Sequence, residues 1–459
     1  MNRENSELCL LSATEMVELI SSMKISVTNL IEAHFKQIKR INPSINAICT
    51  LDEERAMLTA RTLDTSLKKG ALPGPLCGLP IVIKDLIDVK DLPTTKGCIL
   101  FKEAIAIKDA LIVQRMRKAG AIIIGKSNVP ELGAGSHTFN KIFGVTRNPY
   151  DLTKSAGGSS GGGAAAVTSG MAALADGSDL GGSIRNPPSF NNIIGLRTSP
   201  GRIPQVPAND PWQMLSVLGP MARNVKDAAL LLSVIAGPDV QDPLSINEPE
   251  RSFQKVKLLD TKNIKIAYSK NLNLFPVEID VSNSIELGLQ KLAENGCQIK
   301  EDSPDLNGAE EAFSILRALS FAQSYSQLMK ENPEVLKDTI IWNINKGLLL
   351  TGEEIAWAQS IRANLFYKMK EFLENYDALV LPVSQVLPFP VEIEWIKNIN
   401  GIPMKNYIEW MNSCSFITLT SHPAISLPCG FTNSSLPVGM QIVGRFQKEL
   451  ELLSLSHTF

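Results

Sequence analysis

Apolar residues recur at helical spacing near the start of the chain. Met16, Val17, Leu19 and Ile20 follow Thr14, while Ile31, Phe35 and Ile38 fall at i, i+4 and i+7 after Ser26 and Thr28. This pattern predicts two amphipathic helices within residues 14–41, the first capped by Thr14 and the second by Ser26 or Thr28, stopping at Asn42-Pro43. Further along, the texture changes. Gly78–Leu86 reads GLPIVIKDL, a short apolar run bounded by Pro and Gly, which suits a buried strand. A second strand is expected at Ala121–Ile124, after a helical stretch over Ala110–Lys118. Asp227–Ala236 (DAALLLSVIA) reads as an apolar helix, and the polar region 238–262, with Pro238, Pro243 and Pro249, as a surface excursion.

Strands are expected again at Ile264–Tyr268, Cys297–Glu301 and Ala378–Val383, with Ala424–Pro428 and Val438–Val443 closing the sheet. Helices fill Val281–Asn295 and about 308–331 and 353–375. Strands and helices alternate without a solenoid repeat, which predicts one large α/β unit. The middle of the chain is different: SAGGSSGGG at 155–163 runs into AAAVTSGMAALADG and then SDLGGSIRNPP. A flexible linker would share that composition. It would not lead into a small-residue helix and a second sharply punctuated glycine loop, so a built site is the better reading.

Composition narrows the function classes. With 459 residues, 44% of them hydrophobic and 20% charged, the chain can bury a large core and is not a disordered one. Forty-five basic against forty-seven acidic residues offer no general pull on nucleic acid or anionic membrane. The seven cysteines are dispersed and form no CxxC pair, so reduced thiols in a cytoplasmic protein are expected rather than disulfides or a zinc site. No run of eighteen apolar residues suggests a membrane span.

The four histidines, His34, His137, His422 and His457, offer neither an HExxH pair nor a supported Ser-His-Asp triad, and no Walker or GxGxxG pattern accompanies the glycine loops. A glycine loop can instead aim backbone N–H groups at an oxyanion. A serine beside it needs a base, and without histidine the alternative is a lysine kept neutral by burial. Lys84 sits among Leu79, Ile81, Val82, Ile83, Leu86 and Ile87. On local sequence it could equally snorkel from an edge strand or pair with Asp85.

GLPIVIKD around Lys84, AGGSSGGGAAAV around Ser159 and DGSDLGGSIRNPPSFNNIIGLRTSPGRIP around Ser183 resemble the amidase signature family, and the spacing of the three residues agrees. NVPELGAGSHTFN (128–140), GPMARNVKDAALLL (219–232), PAISLPCGF (423–431) and LPVGMQIVGR (436–445) extend the resemblance over nearly the whole chain. It implies a single α/β domain over 1–459, a twisted mixed β-sheet covered by helices on both sides. Within it, N-terminal helices would fill about 1–70, the signature core about 71–237 and the rest of the domain about 263–459.

The resemblance also implies roles. Ser183 would be the nucleophile that forms an acyl-enzyme. Ser159, following a cis peptide at Gly158–Ser159, would relay a proton to neutral Lys84. The N–H groups of Leu180, Gly181, Gly182 and Ser183 would form the oxyanion hole. Asp179 and Arg185 would pair to support that loop, with Arg185 as a substrate-carboxylate ligand the minor alternative. Ser160 would either join the hydrogen-bond network or cap a helix. No cofactor, metal, nucleic acid or membrane partner is implied, only a small-molecule amide; a homodimer is compatible.

Two activities share this triad: that of a stand-alone amidase, and glutamine hydrolysis within a tRNA-dependent amidotransferase. DPWQMLSVLGP (210–220), without the DQ of the glutamine-hydrolysing chains, and GSHTFN (135–140) in place of GSSTEN favour the amidase. Pocket segments are expected within 133–139, 206–216 and parts of 310–410. Trp212, Phe139, Trp410 and Met411 could line the pocket or pack in the core.

Overall fold

The computed structural model describes residues 5–72, 74–248 and 250–459; residues 1–4 of the N-terminal helical region and Pro249 lie outside them. The strands, in chain order, are β1 (Ile48–Leu51), β2 (Pro80–Lys84), β3 (Ile122–Ser127), β4 (Phe139–Asn140), β5 (Gly144–Val145), β6 (Leu174–Asp179), β7 (Ile194–Arg197) and β8 (Val217–Ala222). There follow β9 (Lys265–Tyr268), β10 (Gln298–Glu301), β11 (Ala378–Pro382), β12 (Asn398–Ile399), β13 (Ile402–Pro403), β14 (Ala424–Phe431) and β15 (Pro437–Val443). Eleven join one sheet in the order β1-β3-β2-β6-β8-β7-β14-β15-β11-β9-β10; β4-β5 and β12-β13 are small separate hairpins.

The large sheet is mixed. β2 runs parallel to both β3 and β6, β9 runs parallel to β10 and β11, and the pairs between these blocks are antiparallel. Every residue of β2, β3, β8, β11 and β15 is buried, which requires cover on both faces, and helices supply it. One mixed sheet therefore unites strands from residue 48 to residue 443, as the alternation of elements predicts.

Several boundaries differ from the sequence reading, each for a local reason. The first amphipathic helix, Ala13–Ser21, is capped by Ser12, which forms a capping box with Glu15. Thr14 instead gives its N–H and hydroxyl to Asp227. The second, Val27–Ile45, is capped by Ser26 as expected but runs through Pro43 and ends at Asn46, whose φ of 57° is left-handed. Asn42 makes this tolerable: its Oδ1 accepts the N–H groups of Ala47 and Ile48, holding the exit beyond the proline. The alanine-rich helix is also shorter than expected. It ends at Thr168, and LADGSD becomes the interior strand β6. The described residues of 238–262 do run over the surface, fastened by the buried Phe253, whose ring lies under the Arg202 guanidinium.

β7 and β8, at the centre of the sheet, carry glycines where an adjacent backbone crosses closely. A Cβ on Gly195 would lie 2.0 Å from the carbonyl oxygen of Ile184. The residue after Ser183 therefore rests directly on the sheet.

Candidate active site

Lys84 is the last residue of β2, and its side chain is completely buried. Its backbone N–H donates to Asp176 Oδ1 on β6 (2.8 Å). Its Nζ lies 2.8 Å from Ser159 Oγ, 2.8 Å from Ser160 Oγ, 3.0 Å from Ser178 Oγ and 3.2 Å from the Ser178 carbonyl. Burial disfavours the ammonium and brings the lysine pKa down to about 7, against the opposing charges of Asp176 and Asp179. The carbonyl can only accept, whereas each of the three hydroxyls can donate to the lone pair of a neutral amine. Neither rival reading of Lys84 survives. It does not reach solvent, and Asp85 turns to the other side of the strand, where it pairs with Lys126 (2.9 Å).

The serine-rich loop enters this cluster through a cis peptide at Gly158–Ser159. Ser160 occupies the N-cap position of the helix Gly161–Thr168, yet its side chain makes no cap hydrogen bond and faces Lys84 instead. The glycines that follow let the helix start press against its neighbours. A Cβ on Gly162 would stand 2.4 Å from the Asn128 nitrogen and 2.6 Å from the Ala47 oxygen.

The second glycine loop leaves β6 at Asp179 and turns through Gly182, whose φ of 117° disfavours any side chain. Asp179 organises it. Its carboxylate accepts the N–H groups of Gly182 (2.9 Å) and Ile184 (3.0 Å) and pairs with Arg185 (2.8 Å) and Arg197 (3.1 Å). Burial alone would raise its pKa, but the two guanidinium groups and these N–H donors hold it well below the usual carboxylate range.

Arg185 is fully buried and spends its donors on Asp179, the Cys414 carbonyl, Gln441 and Thr418, so it supports the loop and is not free for a substrate carboxylate. One expectation needs correction. The Gly182 N–H is taken by Asp179, whereas the N–H groups of Leu180, Gly181 and Ser183 have no partner among the described residues.

Ser159, Ser178, Leu180, Gly181 and Ser183 line one cavity of about 270 Å³. The Ser183 hydroxyl makes no hydrogen bond among the described residues. Most of the wall comes from the expected segments, with Gly133, Gly135 and Ser136, residues of the loop between Pro207 and Ser216 and one face of the helix Ala309–Glu331; Met411, a single-residue candidate, joins them, as do Leu86, Leu132 and Gln205 from outside those segments. The aromatic candidates do not take part. Trp212 is 67% exposed, Phe139 packs against His137, and Trp410 is buried edge-on against Phe389. His137 is engaged with Ser155 and the Val391 carbonyl, and burial lowers its pKa to about 4. Among the described residues, no group of three His, Cys, Asp or Glu side chains could hold a metal ion.

Three participants lie inside the motif quoted around Ser183 without a role assigned to them there: Asp176, Ser178 and Arg197. The first two could have been found by alternation, because Asp176 and Ser178 share one face of β6 with a period of two. Arg197, on β7, meets Asp179 only through the pairing of the sheet and has no such periodic signal.

An arrangement of a buried lysine with a pKa near 7, a cluster of hydroxyls and unpaired N–H donors around one cavity fits acyl transfer. Comparison with known proteins agrees. Residues 29–453 match the Amidase family. An acylamidase of Rhodococcus erythropolis is 36% identical over 98% of this chain and 94% of its own length. The A chain of the glutamyl-tRNA(Gln) amidotransferase of Alkaliphilus metalliredigens (strain QYMF) is 32% identical over 95% and 92%. The crystal structure of a bacterial aryl acylamidase of the amidase signature family superposes with a TM-score of 0.93 at 28% identity, covering 99% of this chain and 96% of that one. A structure of 6-aminohexanoate cyclic dimer hydrolase gives 0.87 at 26%, covering 98% and 96%. The chain belongs to the amidase signature family of hydrolases acting on carbon–nitrogen bonds.

Proposed function

We propose that this protein is a stand-alone amidase that hydrolyses a linear carboxylic amide to an acid and an amine or ammonia through an acyl-enzyme on Ser183. The observation that carries the reading is the Lys84–Ser159 contact of 2.8 Å, made by a lysine whose pKa lies near 7. Neutral Lys84 accepts a proton from Ser159 as Ser159 takes one from Ser183. The Ser183 oxygen then bonds to the substrate carbonyl carbon. The developing oxyanion sits against the free N–H groups of Leu180, Gly181 and Ser183; one such donor is worth about 2.7–4 kcal/mol in a transition state. The proton returns through Ser159 to the nitrogen as the C–N bond breaks, and water repeats the sequence to release the acid.

The alternative, glutamine hydrolysis for a tRNA-dependent amidotransferase, is favoured by relatives such as the amidotransferase chain 32% identical to this one. Against it stand the DPWQMLSVLGP segment, whose Asp210, Gln213 and Ser216 line the cavity, and the higher identity to an acylamidase. A panel of aryl, aliphatic and peptide amides plus glutamine, read by released amine or ammonia, separates the two. Nucleophile identity is tested with a serine-directed fluorophosphonate. Label on Ser183 in the parent and none in Ser183→Ala is the expected result; equal labelling of both proteins would contradict the assignment.

A further inference from the structure

The helix Ala309–Glu331 offers the cavity a charge that nothing in the proposed reaction uses. Arg317, Ser320, Phe321, Ser324 and Tyr325 all line the cavity, and their spacing places them on one helical face. Arg317 is only 5% exposed and forms no ion pair among the described residues. Its Nη2 donates to the Tyr407 hydroxyl (2.9 Å), and its guanidinium lies over the rings of Phe321 (4.6 Å) and Tyr407 (5.6 Å). Its Nε is buried with no hydrogen-bond partner.

Such surroundings orient the guanidinium and soften its desolvation, but they supply no counter-charge. The other charged side chain at the cavity, Asp210, does not reach it. Its carboxylate accepts the Trp212 N–H in its own loop.

Position says what the cation is for. The Phe313 ring, one helical turn before Arg317, would lie 3.1 Å from a Cβ on Gly181, so the helix abuts the loop that carries Ser183. Four residues along a helix are about 6 Å, roughly four or five bonds of an extended substrate.

We propose that Arg317 is a specificity-determining residue that receives a carboxylate of the substrate. The favoured amides then carry an acid group a few bonds from the scissile carbonyl, on the acyl or the amine side. A carboxylate in the cavity, held by the guanidinium, would supply the missing charge. The proposal rests on the amidase reading above and goes beyond it by naming the substrate class.

Two matched pairs test it: the monoanilide of glutaric acid against its terminal carboxamide, and N-butanoyl-β-alanine against its carboxamide. In at least one pair the acid should be preferred tenfold or more in kcat/KM, and the responding pair shows which side of the bond faces Arg317. Arg317→Gln should bring that ratio close to one, mainly through KM, while Arg317→Lys should keep part of it. Calorimetric binding to Ser183→Ala separates the two readings. Preferential binding of an acid, without turnover by the parent, would keep the Arg317 assignment and defeat the amidase reading. Equal binding of acid and carboxamide in both pairs, or a preference unchanged by Arg317→Gln, would overturn the assignment whatever the turnover.

Discussion

Asp85 and Lys126 form an ion pair of 2.9 Å with both side chains buried, and this pairing leaves the neighbouring Lys84 with no carboxylate on its amine. Adjacent residues of an extended chain point to opposite faces, so a single step beyond the end of β2 divides a structural charge from a chemical one. Had Asp85 faced Lys84, the ammonium would be stabilised and the lysine would be a poor base near neutrality.

Removing one partner of that pair strands the other. Lys126→Met should cost about 3–5 kcal/mol at pH 7, because an uncompensated carboxylate is left in the interior. Burial already raises the Asp85 pKa, and without Lys126 it rises further. The folded state then holds its proton more tightly than the unfolded chain, so the loss is full above the folded pKa and shrinks as pH falls towards 4. Urea unfolding at pH 7 and pH 4 measures the difference.

Lys84 should carry the opposite signature. Its pKa of about 7 in the folded protein, against 10.5 as the ordinary value, means that the unfolded chain binds the proton more readily in between. Stability contributed by this residue therefore rises with pH from about 7 to 10.5 and is constant below 7. Lys84→Met should gain on the parent by a few kcal/mol more at pH 7 than at pH 10. Denaturant midpoints of the two proteins at both pH values test this; a difference that does not change with pH would place the lysine outside a desolvated site.

Close packing explains the glycine run better than flexibility does. Gly162→Ala places a methyl group 2.4 Å from the Asn128 nitrogen, where only backbone could give way. A loss of about 1–3 kcal/mol or more is expected, with turnover falling because the helix behind Ser159 and Ser160 must shift. Thermal unfolding together with a rate assay checks both.

Asp179 binds two arginines and two amides, so Asp179→Asn should cost about 3–5 kcal/mol and lower kcat along with it. In the parent its depressed pKa contributes stability above the carboxylate's ordinary range, lost only in strong acid. The mutational loss should therefore be flat between pH 5 and 8 in a chemical denaturation series.

The candidate site is far more legible in the sequence than the sheet that holds it. GLPIVIKD declares a buried strand by its apolar run, and the two glycine loops stand out from average composition. β6, β7 and β8 do not read as strands, because LADGSD and VLGPMA carry Gly, Pro and Asp where tertiary neighbours, rather than propensity, decide the conformation. Ser12 is a legible cap that Thr14 masks, since Glu15 three residues later completes its capping box. Arg317 carries no local signal at all. An arginine inside an amphipathic helix reads as surface until Tyr407, from far along the chain, closes over it.

The pH dependence of acylation tests the central claim most directly. Acylation of Ser183, followed as kcat/KM or as the rate of fluorophosphonate labelling, should climb through one ascending limb with a midpoint near pH 7, as Lys84 loses its proton. Asp176→Asn should move that midpoint lower, since the Asp176 charge raises the lysine pKa. Lys84→Arg should show no such limb and little activity, because guanidinium stays protonated. A rate independent of pH between 5 and 8.5, or near-parental acylation by Lys84→Arg, would contradict a neutral lysine as the base.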